Sequence, residues 1–222
     1  MKLSELIMSS KYVTIMTGAG MSTESGMRDF RGVKGMWKDN DPTQLASVGA
    51  LENNYDEFWN FYKWRIDERN ACKPNAGHVA LAEMQRMGFI KSIITQNVDQ
   101  YHQLAGSTKV IELHGNLNVY TDDKGRRRPN VVLFGEMLPS KALEDAVSEI
   151  MKTDLLIVLG TSLQVYPANR LPQYILEKGG KVFRVDKEDI GEFEGIKDNI
   201  GKVLADTWEE ISQHYSKLHN KY

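Results

Sequence analysis

Short apolar runs recur along the chain, at Tyr12–Thr17, Phe89–Thr95, Thr108–Leu113, Val131–Phe134, Asp154–Gly160 and Lys181–Val185. Each spans four to seven residues, and several are rich in Val and Ile. Near-continuous apolar strands of this length suit a parallel sheet covered on both faces. Between them lie helical spacings. His78–Met87 carries Val79, Leu81, Ala82, Met84 and Met87, and Ser140–Lys152 carries Leu143, Ala146, Val147 and Ile150. The segment Asp206–Leu218 sets Trp208, Ile211, Tyr215 and Leu218 on one face. Strands alternating with helices predict an α/β, doubly wound parallel sheet. Two stretches break the rhythm. Arg31–Pro74 is too long for a simple link, and its aromatic-rich part, Asn54–Arg69, reads as helix, so an inserted helical module is expected. Gly115–Asn130 holds the turn signal Asp122-Asp123-Lys124-Gly125 after Leu117–Thr121, which predicts a short hairpin.

Composition narrows the classes. The 222 residues are 41% hydrophobic and 26% charged, ordinary for a globular protein with a sizeable core. A net charge of −2 argues against a nucleic-acid-binding surface over the whole molecule. Cys72 is the single cysteine, so neither an internal disulfide nor a four-cysteine zinc site can form. Met1–Ser10 lacks the apolar core of a secretory signal, and no run approaches membrane-spanning length; a cytoplasmic protein with no membrane partner is expected.

Candidate chemistry clusters where strands end. The first strand runs into Gly18-Ala19-Gly20-Met21-Ser22-Thr23-Glu24-Ser25-Gly26. Glycines there let backbone approach a pyrophosphate, and a following helix offers free N–H groups. Thr23 stands where the common dinucleotide pattern has its third glycine, so a tight turn without ligand is the alternative. Asp29-Phe30-Arg31-Gly32 follows; Arg31 suits a phosphate, and Phe30 suits shielding a reactive ribose. The run Phe89–Thr95 ends in Gln96, Asn97 and Asp99, which offer both donors and acceptors to an amide such as nicotinamide; helix capping is the bland alternative. His114, after Val110–Leu113, has the right intrinsic pKa for a general base, although histidine is also common as a satisfied structural residue.

Seven segments, taken together, resemble the sirtuins, the NAD-dependent protein deacylase family. They are GAGMSTESGMRDFRG (18–32), PNAGH (74–78), TQNVDQYH (95–102), AGS (105–107), IELHG (111–115), RPNVVLFGEMLP (128–139) and GTSLQVYPA (160–168). The resemblance implies one Rossmann-like catalytic domain over 1–222. Its sheet part would comprise 1–32, 76–114 and 131–222, with a helical and cofactor-loop module at 33–75 and a reduced hairpin at 115–130 in place of the zinc module. It implies that Gly18, Ala19, Gly20 and the turn Gly160-Thr161-Ser162 contact the phosphates and ribose of NAD. Asp29, Phe30 and Arg31 would form the mobile cofactor loop, and Gln96, Asn97 and Asp99 the nicotinamide pocket. His114 would be the base, acting with Asn97 and Asp99. Val132, Phe134, Gly135 and Glu136 would flank the groove for an acyl-lysine peptide, which adds as a strand. The implied products are free lysine, nicotinamide and O-acyl-ADP-ribose.

The departures matter. Most sirtuins carry two cysteine pairs where this chain has Asn116–Arg127, so no zinc is expected. Met27-Arg28 stands in place of the usual Ile-Pro, which frees the backbone from proline's fixed φ. Asp186 occupies a common Asn position near the adenosine ribose, and Gly201-Lys202-Val203 would contact the adenine. Tyr62-Lys63-Trp64-Arg65 matches the Tyr-x-x-Arg of desuccinylating and demalonylating members, with the alternative of an aromatic core face beside a solvated arginine. An ADP-ribosyltransferase or NAD glycohydrolase is the rival activity, and an NAD-sensing module the third reading. The basic run Lys124–Arg128 suggests a solvated hairpin tip, or less readily a site for an acidic partner.

Overall fold

The computed structural model describes residues 2–32, 35–38 and 40–219. Residues 33, 34 and 39, within the stretch read as an inserted module, lie outside the described residues. Among the described residues, eight strands form two sheets. β1 (Val13–Thr17), β2 (Ile90–Thr95), β3 (Val110–Glu112), β6 (Leu155–Leu159), β7 (Lys181–Asp186) and β8 (Glu194–Lys197) make a six-stranded sheet in the order β3-β2-β1-β6-β7-β8. Every pairing in it is parallel. β4 (Gly115–Thr121) and β5 (Arg127–Val131) form a separate antiparallel hairpin.

The expected doubly wound sheet is present, and alternation along the strands shows why. Along β6, Leu155, Ile157 and Leu159 pack into one core, while Leu156 and Val158 pack into another. The first core takes α1 (Leu3–Ser9), α5 (Ala76–Arg86) and α9 (Ile200–His219), through Leu6, Leu81, Met84, Leu204 and Ile211. The second takes α7 (Ser140–Lys152) and α8 (Leu171–Glu177), through Ala146, Ile150, Leu171 and Ile175. A strand buried on both faces needs apolar residues at both parities, so it reads as a run. None of the described helices is long and apolar enough to cross a membrane.

Between β1 and β2 lie α2 (Pro42–Leu45), α3 (Val48–Asn53) and α4 (Tyr55–Ala71), after a 3-10 turn at Met36–Lys38. A third core joins them to the hairpin, with Phe58 and Tyr62 against Leu117, Val131 and Leu133. The short helix α6 (Tyr101–Leu104) follows β2.

Four expectations need correction. Val131–Phe134 is not a sheet strand: Val131 ends β5, and Phe134 makes one isolated parallel bridge to Ser47. The residues after it cross as a single extended thread: Val132 N donates to His114 O at 2.9 Å, and Phe134 N to Ala46 O at 2.9 Å. Its apolar side chains face the third core and the cleft, which gives a strand-like pattern without sheet partners. The sheet's sixth strand, β8, lacks an apolar run because it lies at the edge. The last helix begins at Ile200 rather than Asp206. The glycine loop leads into a 3-10 helix, Ala19–Ser25, rather than an α-helix.

The hairpin tip is solvated at Asp123, Lys124, Gly125 and Arg127, as expected, but its cations already hold partners within the chain. Arg126 donates to Glu52 (2.9 Å), to Asp122 and to Leu51 O (2.8 Å), and is only 19% exposed. Lys124 also meets Glu52, and Arg127 lies 4.7 Å over the Trp59 ring. The cations are spent on α3 and α4.

One polar anchor sits under the sheet. Glu149, its side chain 5% exposed, accepts from Lys109 (2.7 Å), Lys152 (3.0 Å) and Tyr12 (2.7 Å). Burial by itself would raise its pKa, but the hydrogen bonds outweigh it and hold the group at about 2, below the ordinary 4.5. A carboxylate depressed on folding adds stability above its unfolded pKa and loses it as pH falls through the folded value. Glu149→Gln should therefore cost about 2–3 kcal/mol at pH 6. Urea denaturation at a series of pH values should show the gap to the unmodified protein closing between 4.5 and 2; a pH-independent gap would assign Glu149 a packing role alone.

Candidate active site

Open α/β sheets bind ligands beyond the carboxyl ends of their strands, where the strand order reverses. Here that point lies between β1 and β6. The loops leaving these strands touch backbone to backbone: Gly18 N donates to Leu159 O at 3.0 Å, and Gly20 N to Gly160 O at 2.9 Å. A Cβ on Gly20 would stand 2.7 Å from Gly160 Cα. Gly160 has φ +56, and its own Cβ would meet Met21 N at 2.5 Å. The glycines are thus required by the crossing of two loops, a stronger demand than ligand approach.

Above this crossing opens a cleft of about 1430 Å3. Ala19, Gly20 and Gly160-Thr161-Ser162 form its floor, and Asp29, Phe30 and Arg31 cover one side. Gln96, Asn97 and His114 form the wall beyond β2 and β3, and Asp186 closes the end beyond β7. Val132, Phe134, Gly135 and Glu136 form the rim with Tyr62 and Arg65. Eighteen residues singled out from sequence thus converge on one cavity, from Ala19 to Asp186.

Three do not reach it. Gly18 lies behind Thr161, whose Cβ is 2.6 Å from where its own would be. Val203 packs into the first core, and Ile200 at the start of α9 takes the cleft wall instead, because a helix turns one face inward. Asp99 is 4% exposed and stands behind the wall. It accepts from Ser22 Oγ at 2.7 Å and from Tyr101 N at 2.9 Å. Burial raises its pKa, against those hydrogen bonds. Ser22 in turn accepts from Asn97 Nδ2 at 3.2 Å. Asp99 therefore orients Asn97 through a hydroxyl.

A second buried chain runs below. His102 Nε2 lies 3.0 Å from Thr17 Oγ1, which donates to Thr95 Oγ1 at 2.8 Å, and Thr95 Oγ1 also accepts from Asn97 N at 3.0 Å. Thr17's proton is spent on Thr95, so His102 must be the donor. Burial, with His78 beside it, keeps His102 neutral.

His114 follows β3, and its Nδ1 sits 3.2 Å from Gln96 O. A carbonyl only accepts, so Nδ1 carries the proton and Nε2 keeps its lone pair. Burial lowers the His114 pKa, and the nearby Arg31 lowers it further, against the bond to Gln96. A neutral imidazole with a free lone pair is a base at neutral pH. Arg31 has no carboxylate partner among the described residues, and burial lowers its pKa.

Several cleft residues were not anticipated. Arg184 is 7% exposed and donates to Thr161 O at 2.9 Å, with Asp186 at 3.4 Å, so it braces the phosphate-side turn and the far end together. Its place two residues before Asp186 on one strand face was the available signal. Ser22 lies within a quoted motif but draws attention only once its partners are known. Trp37 and Phe61 line the cleft from the inserted stretch, where their aromatic character reads as core. Gln164–Pro167 also line the cleft. Arg128 grips Glu136 with both nitrogens (3.0 and 3.1 Å), and Glu136 also accepts from Leu133 N at 2.8 Å, so the hairpin holds the rim in place.

The pattern of the Sir2 family matches residues 18–124 and 121–167. The chain belongs to the Sir2 family. An NAD-dependent protein deacetylase of Saccharolobus solfataricus is 43% identical, over 95% of this chain and 98% of its own. A mutant Sir2 homologue in complex with ADP-ribose superposes with a TM-score of 0.91 at 34% identity, over 96% of this chain and 97% of that one. A Sir2–p53 peptide–NAD+ structure superposes with a TM-score of 0.81 at 34% identity, over 94% and 97%. This Sir2-family chain is an enzyme by that membership, and its sheet order is that of a Rossmann-like fold.

The loop crossing can be tested directly. Gly20→Ala should lower stability by about 2 kcal/mol through overpacking and remove ADP-ribose binding in calorimetry. An unchanged melting temperature would mean the two loops separate at no cost.

Proposed function

We propose that this Sir2-family enzyme removes acyl groups from lysine side chains of proteins at the expense of NAD, releasing nicotinamide, O-acyl-ADP-ribose and free lysine. The observation that carries this reading is one continuous cleft. It joins the crossed glycine turns to a neutral His114 and to the rim thread Val132–Phe134, of which Phe134 is exposed. Its volume and its place at the strand-order reversal suit a dinucleotide.

NAD supplies the ribose carbon that takes the acyl oxygen as nicotinamide departs. In this reading Asn97, held by Ser22 and Asp99, and Gln96 orient the amide of nicotinamide. Arg31 and the turns at Ala19-Gly20 and Gly160–Ser162 hold the phosphates, and Asp186, braced by Arg184, accepts from ribose hydroxyls. Phe30 shields the reacting carbon from water. His114 Nε2 takes a proton from a ribose hydroxyl, which then attacks the acyl carbon; the bond from that carbon to the lysine nitrogen breaks, the amine leaves protonated, and a water adds to the acyl carbon to give the ester. An extended acyl-lysine peptide lies between Val132–Phe134 and the segment Gln164–Pro167, using backbone hydrogen bonds that any sequence provides. In this reading the hairpin needs no zinc; the contacts of Arg126 and Arg127 support it. The lone thiol Cys72 is consistent with a cytoplasmic enzyme.

The acyl preference is the finer part. Tyr62 and Arg65 both line the cleft, and Arg65 Nε is buried without a partner among the described residues. That supports acceptance of acyl chains ending in a carboxylate, such as succinyl or malonyl, beside acetyl.

The deciding assay is incubation with NAD and acetyl-, succinyl- or unmodified lysine peptides, with every product followed by mass spectrometry. O-acyl-ADP-ribose should form only with acylated peptide. Nicotinamide release without deacylation would instead favour ADP-ribosyl transfer or NAD hydrolysis. His114→Ala should abolish deacylation while ADP-ribose still binds. Because burial lowers the His114 pKa, the acid limb of the unmodified enzyme's rate should fall below pH 6.5; a limb above 6.5 would remove His114 as the base. Arg65→Ala should reduce kcat/KM for succinyl-lysine roughly tenfold more than for acetyl-lysine; equal losses would confine Arg65 to structure.

A further inference from the structure

Arg28 stands at the entry to the loop that covers the cleft, where no proline restricts the backbone. Its guanidinium lies 4.2 Å from the centroid of the Trp64 ring, and its Nε donates to Glu68 Oε1 at 3.1 Å. The other carboxylate oxygen, Oε2, accepts from Arg65 Nη1. Arg65 in turn lies 5.0 Å from the Phe30 ring centroid, and Phe30 stacks on Trp37 at 5.2 Å. Two cations thus converge on one carboxylate from different segments, the loop and α4. Residues 64, 65 and 68 share a face of α4 at spacings of three and four.

We infer that Glu68 is a positioning residue that clamps the cofactor loop onto α4, gripping its entry through Arg28 and its tip through Arg65 and Phe30. This rests on the reading above that Asp29–Arg31 touch the cofactor. The burial of the partners decides the weight. Glu68 and Arg65 side chains are 13% and 5% exposed, whereas Arg28 is 57% exposed. The Arg28 contact by itself is therefore a weak surface pair. The Arg65 contact is a buried one, and removing its carboxylate leaves a guanidinium without compensation. Glu68 makes the weak arm matter by tying it to the strong one. The loop's own hydrogen bonds, Met36 N to Asp29 O (3.1 Å) and Trp37 N to Phe30 O (2.9 Å), then report on whether the clamp holds.

Three variants separate the arms. Arg28→Met keeps a long side chain on Trp64 and loses the charge. Glu68→Gln keeps the shape and loses the carboxylate. The third combines both. Hydrogen exchange at the Met36 and Trp37 amides in the free protein should quicken in all three. Affinity for ADP-ribose, measured by calorimetry, should fall about two- to fivefold for Arg28→Met and about tenfold for Glu68→Gln. The double variant should match Glu68→Gln, since one removal already breaks both grips. KM for NAD should rise in step, with KM for an acetyl-lysine peptide unchanged. Unchanged exchange and affinity in Arg28→Met, or losses that simply add in the double variant, would overturn the clamp. Failure of the unmodified protein to bind ADP-ribose would overturn the function reading instead, and the exchange result would still judge the clamp.

Discussion

The site depends on a steric constraint at its base: two backbone loops cross with no room for a side chain between them. Gly20 and Gly160 approach so closely that either Cβ would collide with the opposite backbone. This crossing sets the height of the cleft floor and joins the two halves of the sheet at their carboxyl ends. From it the positions of Ala19, Thr161 and Ser162 follow. Thr161 then receives Gln96 Nε2 at 2.9 Å and, through its carbonyl, Arg184. One close packing contact is therefore propagated by hydrogen bonds to both ends of the cleft.

Behind the cleft wall, polar groups are buried and paired rather than avoided. Asp99, Ser22 and Asn97 form one chain, and His102, Thr17 and Thr95 form another; both end on Asn97. A buried polar group costs stability unless it is hydrogen-bonded, so such chains admit few alternative arrangements. Asn97 is consequently fixed by both its backbone and its side chain. That suits a residue whose amide must meet a ligand in one orientation.

The small hairpin is tied to the rest of the molecule by charge. Arg126 and Lys124 converge on Glu52, Arg127 covers Trp59, and Arg128 holds Glu136 at the rim. These contacts connect the hairpin to α3, to α4 and to the thread that flanks the peptide groove. Partly buried arginine forks with several acceptors resist solvent better than isolated surface pairs.

The parallel sheet, its long helices, the hairpin turn and most cleft residues were legible in the sequence, for a physical reason. Buried strands must be apolar at both parities, turns need glycine and aspartate, and ligand-binding groups follow strand ends, so each leaves a local mark. What the sequence could not decide depends on partners distant along the chain. Val132–Phe134 has the pattern of a strand but bonds to His114 and Ala46, residues distant along the chain, instead of joining the main sheet. Asp99 and Val203 carry motif positions yet sit behind the wall or in the core, since helix phase and the depth of β2 set where they point. The short edge strand β8 and the roles of Ser22, Arg184 and Glu68 arise only when separate segments meet. Local sequence determined which groups were available; the crossing of loops and the packing of α4 decided which of them share a cavity.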